Sequence, residues 1–295
     1  MPQQTPTPRV AAATRVTPQR WAAARAAVQE AGDRFADLIR LAPDPAAMAT
    51  KDWSIADTAA HVTGIAWNYP ALFSETERPL PIPEVRPHMP TVTVDTIHTD
   101  LNPVQLRSFT ERDPARLADR LRDAIADMLS TTAEADPGRV LGWLGGSQLP
   151  LAGLFAHMTN ELLVHGWDIA RAIGTPWRIP EEQAALFFDL FLVEIVRNGY
   201  GKLLDDDRPV RPGRIAVEFQ SAYTSPATMV LDHGEASVVE PNGDRDIRIR
   251  FRPATLNLVL FRRIGHLRAA GSGALTVWGR RPWLLPAFLR KVRMP

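Results

Sequence analysis

Cysteine is absent from all 295 residues. That excludes disulfides, cysteine-based zinc sites, iron–sulfur clusters and a cysteine nucleophile. Any thiol chemistry must therefore use a thiol carried in by a small molecule. Excess charge is also missing: 34 Lys and Arg against 33 Asp and Glu give a net charge of +1. Such a chain has no bulk field to attract nucleic acid or an anionic membrane, so neither is expected as a partner. No apolar run approaches the roughly 20 residues of a membrane helix. The opening MPQQTPTPRVAAATR lacks the apolar h-region of a signal peptide and reads as a frayed arm, which makes the cytoplasm the expected location. What is there is a 45% hydrophobic, 23% charged composition, that of a globular chain long enough for two domains.

Four long helices are expected in the first half. One runs from about Pro18 to Leu41, with Thr17 as N-cap and Pro18 at the first helical position. A second starts at Ser54, where Ser54 and Asp57 have the spacing of a capping box; Gly64 weakens it and Pro70 ends or kinks it. Residues 72–101 form a long Pro-rich connection that reads as a lid or rim, and a short helix begins after Asn102. Asp113-Pro114 opens the third long helix, amphipathic through Leu117, Leu121, Ile125 and Leu129. A turn-rich piece then leads into the fourth, Leu154 to Gly174. Together these make a four-helix bundle.

A fifth helix starts at Pro180, with an apolar strip, Phe187, Phe188, Leu190 and Phe191, suited to an interdomain contact or a dimer; monomer and homodimer both remain open. From Arg214 the period becomes two. RIAVEFQ, ATMVLDHG, EASVVEP and DIRIRFRP are strand candidates, with a hairpin turn at Pro241-Asn242-Gly243. A helix LNLVLFRRIG, a strand LTVWG and a last helix within RPWLLPAFLRKV complete an α+β domain with an antiparallel sheet. From Arg252 to the end there are nine Lys or Arg and no acid, which reads as a basic outer face or as an anionic-ligand or subdomain contact. The expected division is residues 15–178 and 179–295.

The fourth long helix carries polar groups along the edge of its apolar face. Glu161 and His165 are one turn apart and project side by side, the spacing that lets two side chains reach one ion. His61 on the second helix is a candidate third ligand. Two imidazoles and a carboxylate form the protein half of a catalytic zinc site with an open position. His157 and His165 lie about 12 Å apart along the axis, too far to share a metal. The pair is therefore 157 with 161 or 161 with 165; Asp168, a turn beyond His165 and able to orient its ring, favours the second.

DWSIADTAAHVTG and NELLVHGWDIARAIG resemble the mycothiol-dependent maleylpyruvate isomerases and their relatives, a family whose N-terminal half is a DinB-like four-helix bundle. FRPATLNLVLFRRIG and GSGALTVWGRRPWLLPAFL resemble the sterol-carrier-like domain often attached to it. The resemblance implies that His61, Glu161 and His165 bind a divalent metal, commonly zinc. It also implies that mycothiol or a related low-molecular-weight thiol is the cosubstrate of an isomerase or S-transferase acting on a small electrophile. The thiol sulfur is expected on the metal, with His157 or Asp168 taking or relaying its proton. An arginine of the second domain is expected to serve the site, and Arg248, Arg250 and Arg252, which share a strand face, are its candidates. Metal-dependent hydrolysis at the same site and non-enzymatic binding of a small molecule or lipid are the alternatives.

Overall fold

The computed structural model describes residues 14–206, 208–241 and 243–294. Most of the expected N-terminal arm, residues 1–13, therefore lies outside the described residues, as do Asp207 and Asn242 of the expected hairpin turn. The end of that arm is not frayed: Arg15 is buried, bonded to Asp189 and to the carbonyls of Ser225 and Pro226. A guanidinium with three acceptors is held in place where an isolated one would stay in water.

The helical part begins with α1 (Pro18–Arg40), whose N-cap Thr17 accepts from the Arg20 N–H. In α2 (Ile55–Phe73) both halves of the Ser54–Asp57 capping box are formed. Pro70 does not end α2, which continues to Phe73; the ring costs the Ala66 carbonyl its helical donor, and packing holds the last turn. The connection folds into a 3-10 turn (Pro83–Val85) and a π turn (Ile97–Leu101) that runs into α3 (Asn102–Ser108). Asp113 caps α4 (Pro114–Thr131). The turn-rich piece is a small hairpin, β1 (Val140–Gly142) with β2 (Gln148–Pro150). It delivers α5 (Leu151–Ala172), which is buried along most of its length. Helices α1 and α2 each pack on α4 and α5, around a core that includes Phe35, Ile39, Leu117, Leu121, Ile125 and Phe155.

A continuous helical stretch follows: α6 (Glu181–Leu186), a π turn (Phe187–Leu192) and α7 (Val193–Asn198). Phe187, Phe188, Leu190 and Phe191 are all buried here. Phe188 lies against Phe219 and Phe251 of the sheet, and Phe191 against Trp143 and His157 of the helical part. The apolar strip thus joins the two parts of this chain.

The sheet consists of β3 (Arg214–Gln220), β4 (Ala227–Asp232), β5 (Glu235–Val239), β6 (Ile247–Phe251) and β7 (Leu275–Gly279), ordered β5-β4-β3-β6-β7. Expected as antiparallel, it is mixed, because β6 runs parallel to β3 with Val217 opposite Ile247 and Phe219 opposite Ile249. The strands on either side of the expected turn, β5 and β6, are consequently not paired with each other. Period-two alternation reports which face a residue occupies and not the direction of its neighbour. The β3–β4–β5 meander uses one edge of β3, and the chain returns to the other. Buried Asp246 pins that return by accepting from the Ala216 N–H at 2.9 Å and from Arg281. Helices α8 (Pro253–Leu260), α9 (His266–Gly271) and α10 (Leu285–Lys291) complete this part. No helix among the described residues is long and apolar enough to cross a membrane.

Candidate metal centre

Three side chains from α2 and α5 converge on one point. The Glu161 carboxylate lies 3.6 Å from His61 Nε2 and 3.5 Å from His165 Nε2, both through the same oxygen. The imidazole rings are 5.4 Å apart, centre to centre, and one ligand atom from each of the three residues falls within 4.8 Å of the others. All three residues are buried.

Each imidazole is oriented from behind. His61 Nδ1 lies 2.9 Å from Gln105 Oε1 on α3, and the Gln105 amide donates to the His61 carbonyl at 3.0 Å. An amide oxygen only accepts, so Nδ1 carries the proton and Nε2 is left as a lone pair facing Glu161. Gly64 makes this approach possible. A Cβ there would sit 2.4 Å from the Gln105 amide nitrogen, so the apparent weak point of α2 is where α3 comes close. His165 Nδ1 meets Asp168 Oδ2 at 3.1 Å. Arg263, just past the end of α8, grips the same carboxylate through Nη2 at 2.7 Å and Nε at 3.1 Å.

The different partners separate the two histidines electrically. Burial holds His61 below the ordinary imidazole range, its only hydrogen-bond partner behind the ring being a neutral amide. Burial acts on His165 in the same sense, but Asp168 and Glu161 outweigh it and raise that group. Burial opposes ionisation of Glu161, yet the imidazoles of His165, His61 and His157 around it hold its carboxyl well below the usual range. The carboxylate is charged and the His61 ring neutral, which is the state a cation needs.

His157 belongs to the same network. Its Nε2 is 3.5 Å from the second oxygen of Glu161, and its Nδ1 is 2.8 Å from the Tyr69 hydroxyl. It lies against Trp143 and Phe191, and burial lowers its pKa. Trp53, just ahead of α2, lies 4.6 Å from the His61 ring and 5.9 Å from that of His165.

These groups floor a cavity of about 970 Å³ between the helical part and the end of α8. Leu80, Val85, Val94 and Ile97 of the long connection form part of its wall, with Phe261, Arg262 and Arg263 opposite. The candidate arginines of β6 are elsewhere. Odd-numbered β6 residues face the helices, as the Phe251–Phe188 contact shows, so Arg248 and Arg250 fall on the opposite face, while Arg252 lies just past the strand at the start of α8. Arg248 faces Glu218 at 3.7 Å, Arg250 lies over Trp278, and Arg252 bonds Glu181 at 2.8 Å. From the sheet-bearing part, the arginines at the cavity are Arg262 and Arg263, within the basic C-terminal segment. Gln105, Tyr69 and Trp143 carried no sequence signal, since no spacing ties them to the histidines.

A search of curated proteins finds no match. Two crystal structures, of the mycothiol-dependent maleylpyruvate isomerase and of a histidine-to-alanine mutant of it, superpose with TM-scores of 0.48 and 0.47 at 12% identity, each covering 90% of this chain and 95% of the other. Apo Sterol Carrier Protein 2 from Yarrowia lipolytica gives a TM-score of 0.22 at 17% identity, over 35% of this chain and 91% of that one. Residues 28–170, which include every helical-part residue of the site described above, match the family model of the mycothiol maleylpyruvate isomerase N-terminal domain.

Proposed function

We propose that this protein is an enzyme using mycothiol or a related small thiol, an isomerase or S-transferase acting on a small electrophilic metabolite. In this reading residues 15–178 are a DinB-like four-helix bundle that holds a divalent metal, zinc first, through His61, Glu161 and His165. Residues 179–295 are a sterol-carrier-like cover over its open side. The observation that carries the proposal is the convergence of two Nε2 atoms on one oxygen of the buried Glu161 carboxylate, with both rings fixed from behind. The donor set passes a simple test of size: bonds of about 2.1 Å at a tetrahedral angle separate two ligands by about 3.4 Å, against the 3.5 and 3.6 Å found.

A bound divalent cation would lower the pKa of a thiol reaching its open position, making thiolate available near neutral pH. The remaining roles fall to the chain. Gln105 and Asp168 fix the two imidazoles in the ligating tautomer. His157, engaged at both nitrogens, holds the second Glu161 oxygen and so sets the angle of that carboxylate. Asp168 is committed to His165 and Arg263, which makes it a positioning residue. Trp53, Trp143 and Phe191 keep water from the floor of the cavity, and Arg262 at its mouth presents a guanidinium to an anionic substrate group.

The test is turnover of an activated electrophile, maleylpyruvate among those tried, by zinc-loaded protein with and without mycothiol. Turnover that requires the thiol and disappears in His165→Ala supports the proposal. Turnover that proceeds without thiol would replace it with metal-assisted hydrolysis at the same site.

A further inference from the structure

A second cavity, of about 230 Å³, lies inside the C-terminal part between the π turn, the inner face of the sheet and α10. Its walls include Phe188, Phe219, Met229, Ile249 and Phe288, all buried. An apolar cavity of about 150 Å³ is enough to stay dry and hold benzene, so this one has room for more than a ring. Its lining atoms lack contact partners across the void, a deficit that an apolar occupant removes.

The position of this cavity gives it meaning. Leu203, Arg262 and Met294 line both it and the larger cavity over His61, Glu161 and His165. Two of the three are long, unbranched side chains able to swing aside. Arg262 itself stands at φ 58°, a left-handed turn that a bulky residue seldom adopts. The turn puts three consecutive residues at the larger cavity: Phe261 and Arg262 in its wall, and Arg263 gripping Asp168. The Arg262 guanidinium makes no hydrogen bond among the described residues and feels Asp95 only through its charge.

We infer that the smaller cavity receives the apolar tail of the electrophilic substrate while its reactive end lies over Glu161; this rests on the function proposed above. The substrate class is then amphiphilic: a polar electrophilic head, a stretch passing Arg262, and a hydrocarbon or aryl tail at least the size of a benzene ring.

Straight-chain carboxylates from butanoate to decanoate, titrated calorimetrically into the full-length protein, test this without any turnover. Affinity should rise roughly fourfold per added methylene, the value for moving one from water to an apolar site. Val259→Trp, and more gently Ile249→Phe, should flatten the series by filling the cavity while leaving zinc affinity unchanged. A crystal soaked with terminally brominated decanoate should show bromine among Phe219, Met229 and Ile249, with the carboxylate on the larger cavity's side of Arg262. A flat series in the unmodified protein, a bromine signal confined to the larger cavity, or a carboxylate turned away from it would each overturn the inference. Zinc titration of the same samples reports on the metal site separately, so the two readings fail independently.

Discussion

The helical part and the sheet-bearing part meet at one cavity but build their shares of it differently. The helical part supplies the converging donors from within: His61, Glu161, His165 and the polar groups Gln105, His157 and Asp168 that orient them come from α2, α3 and α5. The sheet part supplies its share from a turn, at Phe261, Arg262 and Arg263, and among the described residues its hydrogen-bonded link to the donors runs through Asp168. Rigid helices place ligating atoms, and a turn covers them. Damage to the first should therefore abolish metal binding, and damage to the second should loosen the assembly around a metal that still binds.

The largest effect is expected on the helical side. Glu161→Ala removes the only charge among the three donors, and zinc affinity, measured by competition with a chelator, should fall by well over 100-fold. That exceeds the roughly 10- to 100-fold loss typical of altering an orienting partner. Gln105→Leu and Asp168→Asn should each fall within that smaller range. Equal losses for Glu161→Ala and Gln105→Leu would erase the distinction between donor and orienter.

On the covering side, Arg263→Ala leaves a buried carboxylate with only His165 as partner. Charged hydrogen bonds of this kind contribute about 1.5–3 kcal/mol. Denaturant unfolding of the zinc-loaded protein should show a loss toward the lower figure, because the arginine side chain is 22% exposed. Zinc stoichiometry should stay at one.

Gly64→Ala sharpens the comparison further. Alanine is worth up to about 1 kcal/mol over glycine inside a helix, and the obstructing atom is the end of a flexible side chain. The melting temperature should hold or rise while zinc affinity drops several-fold as Gln105 is pushed off His61. A loss of stability with unchanged affinity would mean that Gln105 does not orient the ring.

The smallest effect concerns pH. Burial makes His61 and His157 harder to protonate in the folded chain, whereas the unfolded chain takes up those protons near pH 6.5. Stability of the metal-free protein should decline as pH falls below that value. His165, raised by Asp168 and Glu161 despite its burial, works in the opposite sense: its contribution is full below pH 6.5 and fades as pH rises through its folded pKa. His61→Gln should make the acid-side decline shallower in thermal melts across pH 5–7.

How much of this was legible in the sequence follows the same division. Ser54–Asp57, Thr17-Pro18 and Asp113-Pro114 announce the helix starts because capping is local chemistry. Glu161 and His165 are legible as a pair because a helix fixes what lies one turn apart. Spacing alone left His157 open as an alternative, since the distance from α2 to α5 is a tertiary quantity. Gln105 was unreadable for that reason, and Gly64 read as a weakness until α3 was seen against it. In the sheet, alternation marked the strands but could not reveal that β6 lies beside β3 in parallel. It put Arg248 and Arg250 on one face without saying that this face turns from the cavity. The arginines that do reach it sit in a left-handed turn after α8, which no periodicity describes.

The central claim is that His61, Glu161 and His165 together form one metal site. The most direct measurement is zinc stoichiometry and affinity in the unmodified protein beside His61→Ala, Glu161→Ala and His165→Ala, with circular dichroism to check that each remains folded. One tightly bound zinc that is lost in all three folded variants is the predicted result. Undiminished binding in any one of them, or no binding by the unmodified protein, would contradict it.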